Sequence, residues 1–172
     1  TSNYMSFEEG VNAFRILDKP IMGLVYWQDV VKEDGTKGSK PIRVREGTSI
    51  NPGDLRTGKD GSPEMPKFFW AMPVYNFRDK RVQILEITQK TVRKAIEALV
   101  KNKKWGNPQD YNLVVDRSGS GFDTEYIINP EPKDALDPAI IEQYKLMHIN
   151  LNALYEGGDP FAGGEDWTPE QV

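Results

Sequence analysis

Four carboxylates, Glu86, Asp116, Asp123 and Glu125, fall in or beside runs of β-branched and aromatic residues. Gathered at one place on a sheet, such groups can hold magnesium and activate water for phosphodiester hydrolysis. Acids scattered along strands more often mark solvated edges. Glu131-Pro132-Lys133 has the carboxylate and lysine spacing of some nucleases, but its flanking prolines remove it from a central strand. The one imidazole, His148, lies in an apolar helical pattern, where packing is a better reading than a catalytic triad or a multi-histidine metal site. Ser118-Gly119-Ser120-Gly121 is too short for a phosphate-binding Walker loop and lacks its lysine, so it reads as a tight turn. Because the chain has no cysteine, disulfides, thiolate zinc sites and iron–sulfur clusters are excluded. No catalytic residue, metal site or cofactor is therefore expected. A metal-dependent nuclease using the strand carboxylates is the enzymatic alternative.

What the chain does concentrate is aromatic rings together with bases. Trp27, Phe68, Phe69, Trp70, Tyr75, Phe77, Trp105 and Tyr111 share the β-rich part of the sequence with a dense set of lysines and arginines. A single strand of nucleic acid exposes base faces, on which rings stack for about 1–3 kcal/mol each, and phosphates, which Lys and Arg neutralise. Strand alternation puts Phe68, Trp70, Met72 and Val74 on one face and Phe69, Ala71, Pro73, Tyr75 and Phe77 on the other. The first set pairs naturally with Leu85 and Ile87, which predicts that it is core and that the second set carries the exposed rings.

The net charge of −4 argues against a nucleic-acid binder, but its distribution reverses the argument. Residues 65–117 hold eleven bases against five acids, whereas 156–172 hold five acids and no base. A basic body joined to an acidic end gives a mildly acidic average. Hydrophobic residues make up 38% and charged residues 28% of the 172, far from a disordered composition and enough for one core. No apolar run approaches the length of a membrane span, and residues 1–11 lack the regions of a secretory signal. These features predict a soluble cytoplasmic protein without a membrane partner.

Around that chemistry the expected strands fall at about 12–17, 21–31, 68–77, 82–87, 112–117 and 123–129. Residues 32–66 are rich in glycine and proline and read as a long polar loop, with Pro41 to Arg45 as a short basic strand within it. Thr88 is placed to cap a helix over about 89–101, whose Val92, Ile96 and Leu99 share a face. Asp137-Pro138 starts a second helix, 137–156, carrying Ile140, Ile141, Tyr144, Met147, Leu151 and Leu154 as a stripe. Residues 157–172 lack periodicity and read as a flexible acidic tail, with Phe161, Asp166 and Trp167 as anchors for a partner protein.

Pro66-Lys67-Phe68-Phe69-Trp70-Ala71-Met72-Pro73-Val74-Tyr75-Asn76-Phe77, Ile84-Leu85-Glu86-Ile87-Thr88-Gln89-Lys90 and Trp105-Gly106-Asn107-Pro108 resemble a family of bacteriophage single-stranded-DNA-binding proteins. Pro20-Ile21-Met22-Gly23 and Lys40-Pro41-Ile42-Arg43 belong to the same resemblance, which extends from about Phe14 to Pro130. It implies a mainly β fold with some helix: an OB-like small barrel over 1–136, with one helix between strands. It implies too that the protein coats replication and recombination intermediates, and that its acidic tail recruits replication proteins. Some phage helix-destabilising proteins hold a structural zinc; a chain with no cysteine and one histidine fits only the metal-free type. Within this reading Trp27, Phe69, Tyr75 and Phe77 are the stacking residues. Lys40, Arg43, Lys67, Arg78, Lys80, Arg81, Lys90 and Lys94 are the phosphate contacts, on a surface with little sequence preference. A protein-interaction module, its basic face meeting an acidic partner, is the other alternative.

Overall fold

The architecture is organised by one strand with neighbours on both of its edges. The computed structural model describes residues 2–163. Its strands are β1 (Tyr4–Met5), β2 (Gly10–Ile16), β3 (Ile21–Val31), β4 (Lys37–Val44), β5 (Lys67–Asn76), β6 (Arg81–Ile87), β7 (Leu113–Ser118) and β8 (Glu125–Pro130). Helix α1 (Lys90–Lys101) lies between β6 and β7, and α2 (Pro138–Met147) follows β8. One edge of β5 pairs with β6, from Trp70↔Ile87 to Asn76↔Arg81. The other edge is shared, β2 taking Val74 to Asn76 and β3 taking Lys67 to Ala71. Asp18-Lys19-Pro20 separates these two pairings. Pro73, unusual inside a central strand, fits because its carbonyl and its missing donor face this interruption; the carbonyl accepts from the Leu17 N–H at 2.9 Å.

The remaining strands extend the sheet outward. β7 pairs with β2, β8 with β7, β4 with β3, and β1 runs parallel to β6. The resulting eight-stranded sheet is bent and branched but not closed: among the described residues β6 and β8 do not pair. The closed barrel expected from the sequence is thus corrected to an open, mainly β sheet with two helices.

Both faces of β5 are covered at its middle, for different reasons. Met72 and Val74 join Phe14, Ile16, Leu85, Ile87, Leu113 and Val115 beneath Val92 and Ile96 of α1. Ala71 and Phe69, pointing the other way, join Val25, Ile84 and Leu154, with Tyr155 and Phe161 packed alongside. Burying large apolar side chains on both faces, each contributing about 1.5–3 kcal/mol, makes this strand the thermodynamic centre of the fold.

Several local expectations are revised. β4 begins at Lys37, four residues before the short strand expected within 32–66, and forms a long hairpin with β3. Helix α1 starts after Gln89, whose side chain makes no capping bond, so Thr88 is not the cap. The long C-terminal helix is two pieces: α2 stops at His148, in the left-handed region at φ 49°, and a separate 3-10 turn runs from Leu151 to Glu156. That break lets Leu154 reach the sheet while α2 buries none of its residues. The chain beyond it is also held as far as it is described: Pro160 is buried and accepts a 2.8 Å bond from the Asn150 N–H, and the Phe161 ring meets Tyr4 edge-on.

Candidate nucleic-acid interface

At the start of β5 the inner core gives way to an open cleft. The register Met22↔Trp70 and Leu24↔Phe68 places these side chains on the face that farther along packs against α1. Trp70 is partly covered; Met22 opposite it and Phe68, one step nearer the strand end, are each 50% exposed. Together with Ile96 and Val100 of α1 they line a cleft of about 490 Å³. Gly23 on its wall can only be glycine, since a Cβ there would lie 2.1 Å from the carbonyl oxygen of Val44.

Charges of both signs ring this apolar floor. Lys19, Arg93 and Lys101 line it, as do Asp18, Glu46 and Glu97. The Arg93 guanidinium lies 5.7 Å from the centre of the Phe68 ring, a cation–π arrangement, while its Nε is buried without a hydrogen-bond partner. Lys90, Lys94 and Lys101, spaced by four and then seven residues, fall on the same flank of the helix. Asp18 accepts a 2.8 Å hydrogen bond from the Tyr144 hydroxyl, tying α2 to the rim. Burial, followed by the bond to Asp18 and that carboxylate's charge, pushes the Tyr144 phenol up from its ordinary value.

On the opposite face of the same sheet arm lies a second groove, about 660 Å³, lined by Trp27, Pro41, Met65 and Lys67 among others. Trp27 is 42% exposed, and Arg56 sits 5.3 Å from its ring centre. Arg56 is itself fixed by Glu64 and Ser39, each at 2.9 Å, so it serves to orient the indole.

The structure sorts the residues expected from the sequence into distinct groups. Trp27 is an open ring, as expected. Phe69 is not: it is 0% exposed beneath Val25, Leu154 and Tyr155, and a sealed ring cannot stack on a base. Tyr75 and Phe77 form an edge-on pair with ring centres 5.1 Å apart, and Tyr75 is six residues along β5 from Phe69, about 20 Å at strand rise. Lys40, Lys67, Lys80, Lys90 and Lys94 are all exposed and, among the described residues, none forms an ion pair. The arginines are engaged within the fold. Arg43 pairs with Glu86, Arg78 donates to Asn12 at 2.7 Å and lies 3.4 Å from Glu8, and Arg81 donates to Asn3 at 2.7 Å. Their planar forks suit fixed bonding inside a fold, while the compact ammonium groups stay in solvent. Phe161 is packed on Tyr4; Asp166 and Trp167 lie outside the described residues.

Sequence reasoning missed the cleft because it assigned Phe68 to the core. The available signal was position: Phe68 lies at the start of β5, before the residues that pack under Val92 and Ile96 of α1, so correct alternation still leaves it half open. Arg93 was counted among the bases but not singled out. The carboxylates of the nuclease alternative do not assemble: Glu86 is held by Arg43, and no group of three potential metal ligands occurs among the described residues. No described helix is long and apolar enough to cross a membrane.

No protein-family model matches this sequence, and no solved structure matches it significantly. A protein of Escherichia phage T5 described as a probable ssDNA-binding protein is 26% identical over 137 residues, covering 72% of this chain. The aligned region is 52% of that protein, so the chain spans about half the length of the relative it matches. The similarity thus connects the chain to a phage protein described as binding DNA, not to a described enzyme.

Proposed function

We propose that the protein binds single-stranded DNA on the arm formed by β3, β4 and the start of β5. The observation that carries this reading is the half-exposed Phe68 ring at the mouth of an apolar cleft, beside bases of α1 that form no ion pair among the described residues. Rings that remain uncovered at the surface offer base-stacking area, and flanking ammonium groups neutralise phosphates. The strand passes from this cleft toward Trp27 and Lys67 on the other side of the arm. The description of the phage T5 protein agrees with the reading.

The fold also supports it. β2 with β3, β5, β6, β7 and β8 have most of the pairings of a five-stranded oligonucleotide-binding barrel, with the helix before the fourth strand and closure between β6 and β8 lacking. The sequence expectation of a phage replication or recombination role, with protein partners recruited through 157–172, extends this proposal. Stacking along the arm is tolerant of sequence because every base has a π-face.

Titration of fluorescent oligothymidylate against duplex DNA at two salt concentrations tests the proposal. We expect tighter binding of the single strand, steep weakening with salt, and a loss on Phe68→Ala or Trp27→Ala. Equal or tighter duplex binding at low salt, or full affinity in both variants, overturns it.

A further inference from the structure

The cleft beside α1 carries on its wall a pair of opposite charges that suits a neutral polar group better than a phosphate. Arg93 and Glu97 are four residues apart on one helix and both line it, which sets their Cβ atoms about 6 Å apart. Neither takes part in an ion pair among the described residues, and the buried Arg93 Nε has no hydrogen-bond partner. A phosphate entering to satisfy Arg93 would meet Glu97, with Asp18 and Glu46 also on the lining. Lys19 and Lys101 on the same lining can meet the flanking phosphates, while the carboxylates accept hydrogen bonds from a neutral heterocycle.

The volume, about 490 Å³, lies in the range of small-ligand pockets, and Phe68 and Trp70 offer ring faces for a flat group. The missing partner is therefore planar, uncharged, and carries acceptors next to donors. Guanine meets this description most fully. Its O6 and N7 match an arginine fork, and its N1–H and N2–H lie side by side for one carboxylate. Thymine has a single ring N–H between two carbonyls. Adenine and cytosine each have an amine but no adjacent pair of N–H groups for Glu97.

We infer that the cleft is a base-reading subsite that takes one guanine of a bound single strand, Arg93 donating to its acceptor edge and Glu97 accepting from N1–H and N2–H. The inference rests on the single-stranded-DNA reading above and adds to it: stacking along the arm tolerates any base, and one position does not.

The test uses the whole chain and fluorescence anisotropy. The probes are an oligothymidylate of about fifteen nucleotides and versions with one central thymine replaced by guanine, adenine, cytosine or hypoxanthine. We expect the guanine version to bind at least about fivefold tighter than all-thymine, as one bidentate base contact provides. Adenine and cytosine should lie within about twofold of thymine, and hypoxanthine, which lacks the 2-amino group, between thymine and guanine. In Glu97→Gln and in Arg93→Gln the ratio of guanine to thymine affinity should fall to about one, with thermal unfolding reporting that both variants are folded. Salt-sensitive binding of all-thymine with no gain from guanine overturns the subsite and leaves the proposed function standing. Absence of binding to every probe overturns both. A guanine preference that persists in both variants overturns the assignment to this cleft.

Discussion

Phe68 and Phe69 are adjacent in sequence, chemically identical and on the same strand, yet one is half open and the other sealed. Alternation separates them onto opposite faces, and what happens next depends on which chain crosses each face. Over Phe69 the segment from Ile149 to Phe161 folds back and completes a second core. Over Phe68 helix α1 places the Arg93 guanidinium in place of an apolar cover, leaving a cleft lined also by Met22. Exposure of an aromatic ring in this sheet is therefore a property of distant covering segments, and strand periodicity alone does not decide which face meets solvent.

The sharpest way to break the comparison is to truncate each ring. Phe69→Ala empties a closed core and should cost about 3–5 kcal/mol in urea unfolding. Phe68→Ala should change stability by less than about 0.5 kcal/mol while weakening single-strand binding by about tenfold. A reversal of these outcomes would show that the two faces have been assigned the wrong roles.

A smaller contrast separates lysine from arginine. Replacing Lys90 and Lys94 together by alanine should flatten the dependence of log affinity on log salt, by roughly one for each phosphate that is no longer neutralised. Arg78→Ala should leave that slope in place and lower the unfolding midpoint, because Arg78 joins the β5–β6 turn to Asn12 and the Ser6 carbonyl. An unchanged slope in the double variant would remove α1 from the DNA path.

The slightest effect is expected at high pH, on the rim of the cleft. The Tyr144 phenol is raised above its usual value, so the folded state holds its proton more tightly than the unfolded chain. The associated stability is complete below the ordinary tyrosine pKa of about 10 and declines as pH climbs beyond it. Tyr144→Phe should show a shallower alkaline decline than the parent in denaturant midpoints measured across that range. A decline of equal steepness would mean that Tyr144 does not govern it.

The sequence made most strands and α1 legible because their apolar positions repeat cleanly: β3 matches residue for residue, and five others differ by one or two positions at an end. β1 was not legible, since two residues carry no period and its place beside β6 depends on a partner eighty positions away. β4 was masked by Gly38 and Pro41, which a sheet tolerates on an edge strand. The division of the C-terminal segment was equally hidden, because His148 adopts a positive φ without being a glycine. Of the interface, the chemical ingredients were readable and their grouping was not. Trp27 and the unpaired lysines are exposed as expected, but Phe69 is sealed, and three arginines are engaged by Glu86, Asn12 and Asn3.

The position of β2 has a consequence for how the chain reaches this structure. Its outer neighbour is β7, joining Gly10 to Arg117, so a nascent chain has nothing to place on that edge until Ser118 has been made. Phe14, which pairs with both Asn76 and Leu113, lacks its outer strand partner for the same interval. Pairings of such sequence separation close slowly, in milliseconds to seconds for sheet-rich domains of this kind. Contact separation therefore favours early formation of the local β5–β6 hairpin and α1, with the β2–β7 pairing expected to close later.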